Sequence, residues 1–322
     1  MQTAQTMKLF TGRSNPELAG KISQHLGIPL GGLTIKNFSD GEIYVKFEEN
    51  IRNEDVFIIQ STNPPADNII ELLLIIDAAR RASANSVTAV LPYYGYARQD
   101  RKDQPRVPIS ARLFLDAFET VGAGRMVTMD LHSPQIQGFV NIPFDNLYSR
   151  LVLLERLKQF GLDLESGVVL SPDMGSARMG QAYARYLDIG FALIDKRRPA
   201  PNKTEVVHLV GDLQDRHVLI IDDMIDTAGT LVSAAESALD NGARKVTAVA
   251  THGLFSGQAS ALLGESAIEK IIVTDTINIK PERLAGKLVD KLEIISVAKI
   301  FATSIERITA GRSLSSLFEL EK

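Results

Sequence analysis

The sequence predicts an α/β fold made of two similar domains, each a mainly parallel sheet flanked by helices. Short apolar runs alternate along the chain with segments of helical periodicity, which is the pattern of strand–helix–strand units. A stretch in the first half is echoed in the second, and 322 residues are enough for two domains of ordinary size.

The predicted strands are short, rich in β-branched residues and apolar on both faces. Parallel strands that are covered by helices on both sides have this composition. They are residues 56–60, 87–91, 126–129, 168–170, 191–194, 218–221, 246–250 and 271–273.

Two helices are indicated between these strands. Residues 69–83 carry apolar side chains at helical spacing, with Ile70, Leu73 and Leu74 among them. Residues 230–241 do the same and end at Asn241-Gly242, a helix-stop signal.

The echo joins two strand–helix–strand units. Val56 and Val218 each begin a strand that precedes a helix, and Val87 and Val246 each begin the strand that follows it. Duplication explains this pattern, although any two such units have some likeness. The echo predicts domains at 1–148 and 149–322, with the end of the chain free to pack back on the first domain.

Composition excludes several classes of function. Lys plus Arg is 35 and Asp plus Glu is 39, a balance that argues against a nucleic-acid-coating protein. The absence of cysteine excludes disulfides, thiolate metal sites and a catalytic thiol. Neither a membrane-spanning run nor a signal-peptide pattern is found, so we predict a cytoplasmic protein with no membrane partner.

The segment 218–230 carries the strongest chemical signal. An apolar strand runs into two carboxylates, Asp222 and Asp223, whose oxygens suit the hydroxyls of a diol. A small-residue turn then opens a helix, where backbone N–H groups and hydroxyls suit a phosphate. Phosphate and diol together describe a ribose 5-phosphate; the alternative is a helix cap with solvated acids. The turn consists of Asp226, Thr227, Ala228, Gly229 and Thr230, with Gly229 expected to allow close approach of the ligand.

The chain resembles the ribose-phosphate pyrophosphokinase family from Lys8 to Phe318. Segment 218–230 is similar to the phosphoribosyl-binding signature of the type I phosphoribosyltransferase fold. The other shared motifs are NFSDGE at 37–42, PYYGYARQDR at 92–101, DLH at 130–132, SPD at 171–173 and DKRRP at 195–199. The resemblance implies transfer of the diphosphoryl group of ATP to the 1-hydroxyl of ribose 5-phosphate, with Mg²⁺ as cofactor and AMP as by-product.

The resemblance also assigns site residues. It implies Lys196 and Arg198 as catalytic cations, with Arg198 also at ribose 5-phosphate, and His132 and Asp173 as Mg²⁺ ligands. Whether His132 contacts the ion directly or through water stays open. The ATP-binding residues by resemblance are Phe38, Asp40, Gly41, Glu42, Arg98 and Gln99, and the first of these would stack on adenine.

Assembly and regulation are implied by resemblance alone. The family is a homohexamer in which the loop with Asp40 comes from a neighbouring subunit, and inorganic phosphate and ADP are effectors. Pro134 and Gln104 replace residues common in relatives, which predicts weaker effector binding. The regulatory residues that match are Lys102, Arg106, Ser313, Ser315 and Phe318.

Three other functions compete with this one. A phosphoribosyltransferase would use the same ribose-binding turn but would need a base-recognition segment and no second domain for ATP. A catalytically silent regulatory subunit would have interrupted motifs, whereas Lys196, Asp223 and Thr227 are intact. Tyrosines beside Arg98 could stack nucleic-acid bases, but one short patch on an acidic chain is thin support.

Overall fold

The computed structural model describes residues 7–159, 166–197, 206–284 and 286–317. The chain forms two compact units. The first runs to Tyr148 and also contains Thr276–Asn278 and the segment that begins at Ser296. The second contains Ser149–Asp275 and Ile279–Ile295.

The first unit is built on a five-stranded sheet in which every described strand pair is parallel. With strands numbered in chain order, its spatial order is β1 (Met7–Thr11), β4 (Asp55–Ile59), β5 (Ser86–Leu91), β6 (Arg125–Met129) and β7 (Phe144–Leu147). An antiparallel hairpin of β2 (Leu33–Asn37) and β3 (Ile43–Phe47) forms a separate small sheet. The helices of this unit are α1 (Pro16–Leu26), α2 (Asp67–Arg81), α3 (Ser110–Val121) and α9 (Ala298–Thr309), together with the 3₁₀ turns Pro134–Phe139 and Ser315–Leu317.

The second unit is built on a seven-stranded sheet. Its spatial order is β10 (Val206–Val210), β9 (Gly190–Arg197), β8 (Gly167–Ser171), β11 (His217–Ile225), β12 (Lys245–Gly253), β13 (Lys270–Thr274) and β14 (Leu292–Ile295). Only the β9–β10 pair is antiparallel among the described strand pairs of this sheet. Its helices are α4 (Arg150–Gln159), α5 (Ala177–Leu187), α6 (Gly229–Asp240), α7 (Ala259–Glu265) and α8 (Leu288–Lys291), with a 3₁₀ turn at Pro281–Arg283.

The two units repeat one strand order. The series β1-β4-β5-β6-β7 of the first matches β8-β11-β12-β13-β14 of the second, with helices between corresponding strands. Val56 pairs with Val87 in the first sheet and Val218 pairs with Val246 in the second, so the echoed residues occupy equivalent places. The predicted fold of two similar, mainly parallel domains is confirmed.

Each unit has its own apolar core, which explains why its strands are apolar on both faces. In the first unit Phe10, Ile58 and Phe118 are fully buried, and in the second Leu170, Ile194 and Val246 are. At about 25 cal/mol per Å² of buried apolar surface, these side chains supply the main driving force for each sheet.

Local signals account for the helix ends. The side chain of Asn15 accepts a hydrogen bond from the Leu18 N–H (3.2 Å), and Pro16 begins α1. Gly27 ends the same helix in the left-handed region (φ 67°), where glycine carries no Cβ penalty.

The predicted strands and both predicted helices are confirmed, while several elements were not predicted. The missed strands are half-buried or at a sheet edge, so they lack a long apolar run: they are β1, β2, β3, β7, β10 and β14. Among the described residues, no helix is both long and apolar enough to span a bilayer.

Candidate active site

Four strands of the second sheet bring the ribose-site candidates to one edge. Because β9, β8, β11 and β12 are parallel neighbours, their carboxyl ends meet there. Asp173 follows β8, Lys196 is near the end of β9, and Asp222 and Asp223 lie in the last part of β11. The structure therefore brings these predicted residues together.

The turn between β11 and α6 has a fixed backbone and an open outer face. The Ser256 N–H donates to the carbonyl of Asp226 (2.9 Å), and the N–H groups of Leu254 and Phe255 donate to that of Ile225 (2.9 and 3.1 Å). Thr227, Gly229 and Thr230 are exposed, whereas Ala228 is buried. Exposed hydroxyl-bearing residues thus lie at the start of α6, where the first backbone N–H groups of a helix have no intrahelical partner and suit a phosphate.

The strained residue of this turn is Ala228 rather than a glycine. Ala228 has φ 67°, a left-handed conformation that costs a residue with a Cβ about 1–2 kcal/mol. Gly229, which the sequence predicts to allow close approach of the ligand, does not have a left-handed φ, and a Cβ added there would meet nothing within 4 Å. Open space at Gly229 is compatible with the predicted close approach of a ligand, and the backbone conformation there does not require glycine.

The acids at the end of β11 are electrostatically coupled. Burial first, and then the neighbouring carboxylates of Asp223 and Asp173, raise the pKa of Asp222 well above its ordinary value. The Asp223 N–H donates to Asp222 Oδ1 (2.9 Å), which opposes this rise by stabilising the ionised form. Asp173 Oδ1 accepts from the Ser176 N–H (3.1 Å), so a backbone contact fixes that side chain. Repulsion among these acids is relieved by a cation or by hydroxyl donors.

Two loops at the carboxyl edge of the first sheet, one after β5 and one after β6, carry the candidates Arg98, Gln99 and His132. The loop after β6 contains Asp130, which is buried with φ 40°, and His132, which is exposed. Between these two residues, the Leu131 N–H donates to Asn146 Oδ1 (3.0 Å), a contact that fixes the loop. His132 is thus presented at the surface of the edge, where a phosphate or a metal-bound water can reach it.

The loop after β5, residues 92–101, is clamped to the loop after β4. The Gly95 N–H donates to Thr62 Oγ1 (2.7 Å), and the Thr62 N–H donates to the carbonyl of Tyr93 (2.9 Å). A Cβ on Gly95 would lie 2.2 Å from the Thr62 carbonyl oxygen, so only glycine fits. Arg98 is exposed, while Gln99 Oε1 accepts a hydrogen bond from Ser110 Oγ.

The tip of the β2–β3 hairpin presents the other ATP candidates. The Phe38 N–H donates to the carbonyl of Glu42 (2.8 Å), and Asp40 Oδ1 accepts from the Glu42 N–H (3.0 Å). Gly41 has φ 99°, which closes the turn and favours glycine. Half of the Phe38 side chain is exposed, with its outer face open to a planar ring.

The regulatory candidates lie on the surface of the first unit. Lys102 and Arg106 are exposed, and Ser315 donates through its N–H to Ser313 Oγ (3.1 Å). Arg307 Nη1 also donates to the Ser313 carbonyl (2.8 Å). Phe318 and Arg198 lie outside the described residues.

The carboxylates fit Mg²⁺ as a substrate-bridging ion. Within the residues that the structure describes, no three His, Asp or Glu side chains lie close enough together to hold a metal alone. Mg²⁺ is usually held through one or two carboxylates, with water and substrate phosphates completing its shell. The acidic edge around Asp173 and Asp222, where charge already raises a carboxyl pKa, meets that requirement.

Several supporting residues were missed by sequence reasoning. Thr62 and Ser110 anchor the loop that carries Arg98, and Arg13 contacts the hairpin through Asn37 (Nη1 to Oδ1, 2.7 Å). One sequence signal indicates the contact of Arg13. The acid Glu71 lies within the apolar run of α2 and needs a buried partner, which Arg13 supplies.

Comparison with known proteins agrees with this geometry. A family model described as the N-terminal domain of ribose phosphate pyrophosphokinase matches residues 7–122, and one described as a phosphoribosyl synthetase-associated domain matches residues 197–319. The ribose-phosphate pyrophosphokinase of Chlorobaculum tepidum is 49% identical over 97% of this chain and 95% of its own length. The chain belongs to the ribose-phosphate pyrophosphokinase family. The enzyme of that name from Caldanaerobacter subterraneus subsp. tengcongensis is also 49% identical, over 97% of this chain and 98% of its own.

A solved structure extends the match to three dimensions. The phosphoribosylpyrophosphate synthetase of Mycobacterium smegmatis superposes with a TM-score of 0.89 at 36% identity, covering 95% of this chain and all of the other. The predicted family is confirmed. So is the predicted reaction, diphosphoryl transfer from ATP to ribose 5-phosphate, and the chain is an enzyme of nucleotide biosynthesis.

Proposed function

We propose that this enzyme binds ribose 5-phosphate at the carboxyl edge of its second sheet. The supporting observation is the joint placement of Asp222, Asp223 and the open turn before α6 at that edge. In this proposal the sugar hydroxyls donate to the two carboxylates, and the phosphate accepts from the N–H groups and hydroxyls of residues 226–230. The 1-hydroxyl is thereby held in place as the nucleophile.

We propose that the first unit binds ATP. Phe38 stacks on adenine, while Asp40, Gly41, Glu42, Arg98 and Gln99 surround the nucleotide. The half-exposed ring of Phe38 and the surface position of Arg98 support this assignment. The Gln99 side chain already accepts from Ser110, so its nucleotide contact is expected to come from the amide NH₂ group.

Catalysis in this proposal depends on positioned positive charge. The 1-hydroxyl oxygen loses its proton to water and bonds to the β-phosphorus of ATP, the bond from that phosphorus to the α–β bridging oxygen breaks, and AMP leaves with the bridging oxygen. Negative charge grows on the phosphoryl oxygens, so Lys196 and Arg198 act by stabilising the transition state. Asp173 would hold one Mg²⁺ near the ribose and His132 would lie at the Mg²⁺ of ATP, directly or through water; such ions would supply neutralisation of phosphate charge.

Finer aspects of assembly and location belong to the proposal as well. We propose a cytoplasmic homohexamer in which the hairpin tip serves a neighbouring subunit, with inorganic phosphate and ADP as effectors. Sedimentation or light scattering of the purified enzyme tests the assembly, and a monomer of full activity would rule out a shared site.

The reaction itself is tested by product analysis. With ATP, Mg²⁺ and ribose 5-phosphate, we expect AMP and a sugar diphosphate in equal amounts, as measured by ³¹P NMR. Omission of ribose 5-phosphate should abolish AMP formation. Formation of ADP and free phosphate instead would show γ-phosphoryl transfer or hydrolysis and would contradict the proposed chemistry.

A further inference from the structure

A buried polar network in the first unit is centred on Glu71. This acid of α2 is 1% exposed, although its neighbours along the helix are apolar. Its Oε1 accepts from the Arg13 N–H (2.5 Å) and from Gln60 Nε2 (3.0 Å), and its Oε2 accepts from Arg13 Nε (2.6 Å). A buried carboxylate requires such partners, so the three residues act as one unit.

Gln60 locks the adjoining turn after β1 in place. It is fully buried, and its Oε1 accepts from both the N–H (3.1 Å) and the Oγ (2.7 Å) of Ser14. A Cβ on Gly12 would lie 2.3 Å from Gln60 Oε1 and 2.6 Å from Glu71 Oε1. The turn from Gly12 to Ser14 is therefore packed tightly against the network, which fixes the direction of the Arg13 side chain.

Arg13 extends this network to the β2–β3 hairpin. Its Nη1 donates to Asn37 Oδ1 (2.7 Å), and Asn37 Nδ2 donates in turn to the carbonyl of Gly41 (2.9 Å). Asn37 is the last residue of β2, and Gly41 lies in the tip that carries Phe38 and Asp40. A continuous chain of hydrogen bonds thus joins the buried acid to the hairpin tip.

We propose that Arg13 is a positioning residue that holds the hairpin tip in its nucleotide-binding conformation. The inference rests on the proposed ATP role of Phe38, Asp40 and Glu42. A two-stranded hairpin is only marginally stable by itself, so its exposed tip needs an anchor. The planar guanidinium contacts Glu71 and Asn37 at once, which a single ammonium group does not do with the same geometry.

Two variants remove the link without opening the core. Arg13→Lys keeps a positive charge near Glu71 but loses the planar guanidinium that contacts Glu71 and Asn37 together. Asn37→Ala removes the contact with the hairpin and leaves the Arg13–Glu71 ion pair intact. We expect each to raise the KM for ATP about three- to tenfold, the net effect of losing roughly one ordinary hydrogen bond, with kcat and the KM for ribose 5-phosphate little changed. Because both substitutions break the same hydrogen-bonded link, the KM for ATP of the double variant should not exceed that of the more affected single variant.

Hydrogen exchange supplies a readout independent of activity. Amides of residues 38–42 should exchange faster in both variants, while the melting temperature stays near that of the parent. Thr34→Val is the matched control, since Thr34 bonds Glu48 (Oγ1 to Oε1, 2.6 Å) at the far end of the same hairpin. It should leave the KM for ATP and exchange at the tip unchanged.

Phe38→Ala separates this inference from the proposed function. If Phe38→Ala raises the KM for ATP but Arg13→Lys and Asn37→Ala do not, the tip binds ATP without the anchor and the positioning role is wrong. If Phe38→Ala also leaves that KM unchanged, the tip does not bind the nucleotide, and both the ATP assignment and the positioning role fail.

Discussion

At the scale of single residues, the acids at the end of β11 differ in what they are expected to do. Asp222 carries the raised pKa, whereas Asp223 and Asp173 supply part of the charge that raises it. We therefore expect neutralisation of Asp223 to change the affinity for ribose 5-phosphate, and neutralisation of Asp222 to change the stability of the ligand-free enzyme.

Asp223→Asn should weaken ribose 5-phosphate selectively. An amide offers one acceptor oxygen in place of two and lacks the charge that strengthens a hydrogen bond from a sugar hydroxyl. We expect a loss of affinity for ribose 5-phosphate of roughly tenfold or more, and a far smaller loss for ATP, by calorimetry. Asp215→Asn, the same change in the exposed turn before β11, is the control. Equal losses for both substrates would indicate a metal role for Asp223.

Asp222→Asn should stabilise the ligand-free enzyme in a pH-dependent way. The folded-state pKa of Asp222 is raised, so its ionisation costs stability as pH rises from the ordinary carboxyl pKa through the raised value, and the cost is absent below both. The amide removes that cost. We expect a melting temperature about 2 °C higher than the parent at pH 8, with the gain shrinking as pH falls. Scans run in EDTA without substrates test this, and a gain independent of pH would contradict the electrostatic cause.

At the scale of elements, each unit places some of its candidate residues on an antiparallel insertion at the same point of the repeated strand order. The hairpin β2–β3 lies between α1 and β4, and the antiparallel pair β9–β10 lies between α5 and β11. The first carries Phe38 and Asp40, and the second carries Lys196. The sheet of each unit supplies a rigid edge. The antiparallel insertion that follows the first helix of the repeated order carries different residue types in the two units.

Gly95→Ala tests how the loop after β5 is fixed. The added Cβ would clash with the carbonyl oxygen of Thr62 at 2.2 Å, so the backbone must move, at a cost of about 1–3 kcal/mol. We expect a lower free energy of unfolding and, because Arg98 lies in the same loop, a higher KM for ATP.

Gly20→Ala is the matched control for that change. Gly20 lies within α1 and has nothing within 4 Å of an added Cβ, so alanine should stabilise the helix by about 0.5–1 kcal/mol. Urea unfolding of both variants measures the difference. Equal stability of the Gly95 variant and the parent would show that the loop adjusts without cost.

At the scale of the whole molecule, the proposed regulation by phosphate and ADP concerns surface residues of the first unit. Pro134 is exposed at the start of a 3₁₀ turn, where a missing N–H costs nothing structurally but removes a donor for an anion. Gln104 is exposed and lacks the charge that a basic residue would add. Lys102 and Arg106 remain exposed beside it and can supply part of an anion site.

The double variant Pro134→Ser, Gln104→Lys should strengthen effector binding. A hydroxyl, a backbone N–H and a cation are all donors to phosphate oxygens, so activation by inorganic phosphate and inhibition by ADP should saturate at lower concentrations than in the parent. Titrations at saturating ATP exclude competition at the ATP site, and unchanged melting temperatures check the fold. Overlapping titration curves would show that both positions are neutral.

The predictable part of this structure is the part with local periodicity. The central strands β4, β5, β11 and β12 are buried on both faces and read as apolar runs, and the turn before α6 has a distinctive residue order. The acid Glu71 in the apolar run of α2 indicates a buried polar partner, but the identity of the network residues Arg13, Asn37 and Gln60 was not predictable, because they are distant in sequence. Which polar residues meet depends on how β1, α2 and the hairpin pack.

The sequence by itself determined the fold class, the duplication, the family and the identity of the candidate site residues. Those features are encoded in spacing and residue order, which can be recognised without knowledge of which residues are in contact. Only the tertiary structure decided that Ala228, not Gly229, takes the left-handed conformation, that Thr62 clamps Gly95, and that Arg13 anchors the hairpin tip. Backbone strain and long-range hydrogen bonds arise from packing between distant segments, and no local pattern specifies them.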